Sequence, residues 1–210
     1  MKHNTSKMYY KYLAKCILET FLPSHFWGII LSDKPDLRNS NGEGIEVTRA
    51  FFAGDGEASG RFQRIKDKPI NEIDKRDLAR LEQLDYEVLY INGKAGGYCP
   101  PAQWCTLSEI QECFIAKLGK ASTYSNTTCL FIYSPMFDWY EHGMIEEFTQ
   151  WASELQKALE NKFSKVYIFE YTALYICDLE VEEVTKINLE HDEIYKCCEK
   201  ALDFVKQQVE

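Results

Sequence analysis

Asp36 and Glu46 are the residues in this chain whose type and spacing best suit chemistry. They flank Asn39-Ser40-Asn41-Gly42, a composition that supplies the positive φ angles of a tight reversal, so the two acids fall on the two arms of a β-hairpin. In the second arm, Gly44-Ile45-Glu46-Val47-Thr48, a period of two puts Glu46 and Thr48 on one face and Ile45 and Val47 on the other. Burying a carboxylate in so apolar a strand is costly unless a cation or hydrogen bonds meet it. Two such carboxylates on adjacent strands can share a Mg²⁺ or Mn²⁺ ion, which polarises a phosphoryl oxygen and acidifies a bound water. Metal-assisted hydrolysis is the chemistry that such a pair can support.

The elements around the hairpin must position it. Tyr9, Tyr12, Leu13, Cys16, Ile17 and Thr20 recur at helical spacing and predict a helix over 6–21, closed by Pro23. Phe26 to Leu31 is a short apolar run entering the hairpin. Ala53 to Gly60 is glycine-rich and reads as a loop without the Gly-Lys-Ser/Thr order of a phosphate-binding loop. A helix over 71–84, a strand over 86–92 and a turn-rich link over 93–101 follow. Thr106 and Glu109 form a capping-box pattern opening a helix through Ile110, Phe114 and Leu118 to Ala121. Lys117, three residues after Phe114 and seven after Ile110, lies on its inward face; Lys120 is the neighbouring alternative. The run 128–133 predicts a buried strand, 144–161 a helix, 165–171 and 174–178 strands, and 190–207 a last helix. The order predicts one α/β domain over 1–210, a sandwich of helices about a mixed sheet, with 55–101 as an insertion or peripheral layer.

Pro35-Asp36, the short turn and Glu46-Val47-Thr48 resemble the motif of the PD-(D/E)XK, or restriction-endonuclease-like, nuclease superfamily: Pro-Asp at a strand start, then an acid, any residue and lysine. The order of elements resembles that fold as well. The resemblance implies Asp36 and Glu46 as catalytic and metal-holding residues, the Val47 carbonyl as a further ligand, and Glu19 on the preceding helix as an additional acid. It implies Mg²⁺ or Mn²⁺ as cofactor and nucleic acid as partner, DNA before RNA. Many of the resembled families place a lysine-bearing helix and then a tyrosine before the next strand, as Lys117, Lys120 and Tyr124 stand here. The departure is Thr48, which occupies the lysine position and has neither its positive charge nor useful basicity near neutral pH. Either the lysine has moved to the later helix, as Lys117 or Lys120, or the site is degenerate and the chain is a non-catalytic interaction protein that keeps the fold.

The composition narrows the classes further. A net charge of −9 over 210 residues argues against a protein that coats nucleic acid non-specifically. The charge is uneven: between Arg61 and Arg80 seven Lys or Arg stand against four Asp or Glu, which makes Arg49, Arg61, Arg64, Lys66 and Lys68 candidate phosphate contacts, whereas the C-terminal stretch is acidic. The eight cysteines sit in helical and strand-like apolar patterns or at spacings foreign to zinc sites, the usage of core cysteines in a reducing, cytoplasmic setting. No run has the length of a membrane span, and the first residues lack the apolar centre of a signal peptide.

Overall fold

The computed structural model describes residues 2–50, 54–99, 107–121, 127–134 and 143–208. In chain order the elements are α1 (Lys2–Phe21), α2 (Pro23–Phe26), β1 (Ile30–Leu31), β2 (Leu37–Arg38), β3 (Gly44–Arg49), α3 (Asp55–Ile65), a 3₁₀ turn (Ile70–Glu72), α4 (Lys75–Gln83), β4 (Glu87–Ile91) and β5 (Lys94–Cys99). Then come α5 (Leu107–Ala121), β6 (Thr127–Tyr133), α6 (Met144–Gln156), β7 (Lys165–Phe169), β8 (Ala173–Asp178), β9 (Glu183–Asn188) and α7 (His191–Gln207). The chain is mixed α/β and divides into two compact units, Met1–Ala50 with Cys105–Glu210, and Phe51–Trp104.

The first unit is built on a seven-stranded sheet in the order β1-β2-β3-β6-β7-β8-β9. β3, β6 and β7 run parallel at its centre, and the flanking pairs are antiparallel. Parallel neighbours need crossovers, and α5 and α6 lie in those connections. Strand alternation separates the two faces. Glu46 stands beside Leu130 and Val47 beside Phe131 across the β3–β6 ladder. The odd-numbered side meets α1, where the Tyr10 ring lies 5.0 Å from that of Tyr133 and stacks under the Arg49 guanidinium at 4.4 Å. The even-numbered side meets α5, which reaches Glu46 through Lys117. With helices on both faces the central strands are buried throughout, which is why Cys129 to Tyr133 is an unbroken apolar run. α1 packs on α7 and α5 on α6. Leu13, Ile17 and Leu18 are sealed from solvent on α1, and Phe114, Phe148 and Phe163 on the other side. The sheet edges are a two-residue strand, β1, and a charged one, β9, both poor templates for further pairing.

The second unit has a buried cluster of its own: Ala58, Phe62, Ile65, Ile73, Leu81, Tyr86 and Ala95. Two sequence expectations are corrected in it. The glycine-rich stretch expected as a loop forms the N-terminal half of α3, because Ala58, Phe62 and Ile65 recur at helical spacing and their burial outweighs the weak propensity of Gly56 and Gly60. Gly54 opens that helix at φ +106°, and a Cβ there would meet the Leu84 side chain at 2.9 Å, so both conformation and space call for glycine. The expected link after residue 92 contains a strand, β5, paired with β4 around Asn92-Gly93, both at positive φ as a two-residue hairpin turn requires. Likewise 183–188, unassigned from the sequence, forms β9 as an edge strand against β8.

Every cysteine among the described residues is a free thiol, and Cys16, Cys129, Cys177 and Cys197 are buried. No helix among the described residues is long and apolar enough to cross a membrane. Thr106 and Tyr124 lie outside the described residues.

Candidate functional site

The hairpin forms where the turn residues place it. Asn39 Oδ1 accepts the backbone N–H groups of Asn41 and Glu43, Gly42 adopts φ +81°, and Leu37 and Arg38 pair with Ile45 and Gly44. β2 begins one residue after Asp36, whose carboxylate turns back across the hairpin and accepts the Val47 N–H at Oδ2, 3.0 Å away. The Val47 carbonyl leaves the same edge of β3 as its N–H, on the Asp36 side. Asp36 and Glu46 are both nearly sealed from solvent, at 2% and 3% exposure.

Lysines meet these buried charges from both faces of the sheet. From α5, Lys117 Nζ donates to Glu46 Oε2 at 2.7 Å and lies 3.8 Å from Asp36 Oδ2, so one ammonium addresses both carboxylates. From α1, Lys11 Nζ sits 2.8 Å from Asp36 Oδ1 and donates to the Ser32 carbonyl at 2.8 Å, while Lys7 Nζ approaches the same Asp36 oxygen at 3.5 Å. Three ammonium groups thus surround two carboxylates. The direction of α5 explains why Lys117 arrives. Cys113 lies against Thr48, and Lys117, one turn later, against Glu46, so the helix runs antiparallel to β3 as a crossover helix must.

Burial alone would push the Asp36 carboxyl up. The hydrogen bonds from Lys11 and the Val47 N–H, with the charges of Lys11 and Lys117, outweigh it and hold the group below its ordinary 3.8. A carboxyl depressed on folding stabilises the fold above its unfolded-state value, and that contribution is lost as pH falls through the folded-state value. The unfolding free energy therefore falls on acidification below about pH 4, and Asp36→Asn shallows that limb when denaturant midpoints are measured as a function of pH. Asp77 and Asp178 are also depressed and keep the remaining slope.

The other predicted site residues divide. Thr48 shares the face of Glu46 and lies near the Cys113 thiol, which donates to the Arg49 carbonyl at 3.1 Å. Glu19 is not brought to the cluster. Its Oε1 accepts the Ile29 N–H at 2.8 Å beside Lys15, tying the end of α1 to the chain before β1. It stands eight residues beyond Lys11, about 12 Å along the helix. The Lys120 side chain lies outside the described residues. Arg61 and Arg64, candidate phosphate contacts, are committed to Asp77 at 3.0 and 2.6 Å, and Arg61 also to Glu57. Lys7 and Lys11 escaped the sequence reading. Their signal is a spacing of four on a helix whose apolar stripe runs alongside.

Among the described residues no three His, Cys, Asp or Glu side chains stand together as a metal group. The Asp36 and Glu46 carboxylates, with the Val47 carbonyl, are nonetheless hard oxygen donors, and Lys117 shows that a cation is accommodated between the two acids. Such a set suits Mg²⁺ or Mn²⁺, which often takes one or two carboxylates and fills its remaining positions with water and substrate phosphate. No family model, curated protein or solved structure matches the chain.

Proposed function

We propose that the chain is a metal-dependent nuclease of the PD-(D/E)XK kind, with a restriction-endonuclease-like fold, in which the lysine has moved from the strand to α5. The observation that carries this reading is the approach of Lys117 Nζ to Glu46 at 2.7 Å and to Asp36 at 3.8 Å, which supplies the charge that Thr48 lacks. The succession of helix, acidic hairpin, crossover helix and parallel strand supports it. Asp36, Glu46 and the Val47 carbonyl would hold Mg²⁺ or Mn²⁺, and the bound ion would supply Lewis acidity toward phosphate and water. Lys117 orients the attacking water or offsets phosphate charge. Thr48 keeps α5 in register through Cys113. DNA is the first substrate to try, then RNA.

The test is cleavage of single- and double-stranded DNA and RNA with Mg²⁺ or Mn²⁺. Asp36→Ala and Glu46→Ala are expected to lower the rate at least about a hundredfold. Failure to cut any of these substrates with either ion would sink the reading. One observation favours a second reading, an interaction protein that retains the fold. Lys7, Lys11 and Lys117 already compensate both acids without a metal. Calorimetric titration with Mn²⁺ separates the two. Heat that disappears in Asp36→Ala supports the nuclease, and no heat in the parent chain supports the alternative.

A further inference from the structure

Asp36 is approached from two sides, and only the Lys117 side is used above. On the other, a cavity of about 340 Å³ is lined by Lys7, Met8 and Lys11 of α1, Leu31 of β1, Ser32 and Asp33 just after it, and Phe204 of α7. That volume is at the lower end of small-ligand sites, about 300–1,000 Å³. Its lining is divided by chemistry. Lys11 forms an inner, polar wall: its side chain is 11% exposed and its ammonium is engaged by Asp36 and Ser32. Lys7 stands further out, with a 60% exposed side chain, and its approach to Asp36 at 3.5 Å is longer than a hydrogen bond, so its donors are not consumed there. Two ammonium groups converge on one carboxylate oxygen, and with Asp33 in the lining the two positive and two negative charges balance, so what this side offers an anion is the unused N–H donors of the lysines. Met8, Leu31 and Phe204 form the apolar part, and the Phe204 ring is stacked on Tyr12 with centroids 4.2 Å apart and planes 15° from parallel.

We propose that this cavity binds a nucleotide phosphomonoester, with the phosphate on Lys7 and Lys11 and the base or sugar against Phe204, Met8 and Leu31. The donors select the monoester: a terminal phosphate presents three strong acceptor oxygens to the N–H groups that Lys7 and Lys11 leave unused, one more than the two unbridged oxygens of an internal diester. Apolar surface beside the lysines favours a nucleotide over a bare inorganic anion. The choice of a nucleotide rests on the nuclease reading. Under it, the cavity adjoins the cluster through Asp36 and gives the protein a grip on a strand end or on a released mononucleotide.

The experiment measures fluorescence anisotropy of one oligonucleotide ending in a 5′-phosphate, a 3′-phosphate or hydroxyls only, in EDTA so that cleavage is silent. One phosphorylated end is expected to bind roughly tenfold or more tighter than the hydroxyl end, the scale of a charged hydrogen bond. The difference disappears in Lys7→Ala, an exposed position whose loss leaves the core intact, and returns in Lys7→Arg. Competition by adenosine monophosphate distinguishes the sources: displacement at concentrations comparable to the oligonucleotide marks the free nucleotide as occupant, and resistance marks the strand end. Equal affinity for phosphorylated and hydroxyl ends, or a preference that survives Lys7→Ala, overturns the proposal. Metal-dependent cutting without end preference would overturn it and leave the nuclease reading standing. End preference without cutting would do the reverse.

Discussion

Lys117→Met is expected to destabilise the folded chain by about 3–5 kcal/mol in EDTA, because it strands Glu46 and part of the Asp36 charge in a buried setting. The side chains of Lys117 and Glu46 are only 13% and 4% exposed, so solvent screening does little to soften the loss. Two companion measurements tie the effect to the pair. Glu46→Gln added to Lys117→Met recovers much of the stability, since the carboxylate that had lost its partner is gone. Mn²⁺ also recovers part of it, because an ion that binds only the folded chain shifts the unfolding equilibrium toward it. Urea unfolding of the four chains of the cycle, with and without Mn²⁺, reads all of this. A single variant within about 1 kcal/mol of the parent would mean that Lys117 does not hold the acids in place.

The second large effect lies one turn earlier on the same helix. Phe114 is fully buried, with ring centroids 5.8 Å from Phe148, 5.8 Å from Trp151 and 5.9 Å from Phe163. Phe114→Ala is expected to cost about 3–5 kcal/mol, the transfer loss plus the cavity left among three aromatic rings. Phe114→Leu should cost less than half of that, since it preserves most of the volume. The comparison tests more than packing. Phe114 seats α5, and Lys117 reaches Glu46 only if α5 is seated. Under the nuclease proposal, cleavage measured below the unfolding transition should therefore fall further in Phe114→Ala than in Phe114→Leu. Equal activities in the two folded variants would separate the helix core from the site.

The hairpin and the inward lysine were legible because each rests on local grammar. Asn39 to Gly42 specifies a reversal whatever surrounds it, and the phase set by Ile110 and Phe114 fixes the direction of Lys117. The rest depended on neighbours distant in sequence. Lys11 is a lysine on an apolar helix, which ordinarily snorkels to water. Only the return of the chain at Ser32 and Asp36 gives its ammonium a buried destination. The partner of Glu19 was hidden for the same reason, since the Ile29 N–H belongs to a segment with no periodicity of its own. In the inserted unit, the two glycines inside α3 and the pair Gly96-Gly97 in β5 hide a helix and a strand, because tertiary burial of Phe62, Ile65 and Ala95 decides the outcome where propensity opposes it.

The position of that inserted unit also bears on how the chain folds. β3 and β6 are direct parallel neighbours, yet the whole of Phe51–Trp104 lies between them in sequence. A long connection taxes the encounter of two strands through lost chain entropy. If the insert collapses first on its own cluster, it ceases to count as free chain and shortens the effective loop roughly threefold, worth about 1 kcal/mol of closure entropy. The order of assembly then follows from topology: the insert early, the β3–β6 pairing late, and the carboxylate–lysine cluster last, since Glu46 stands on β3 and Lys117 on α5, the helix that precedes β6.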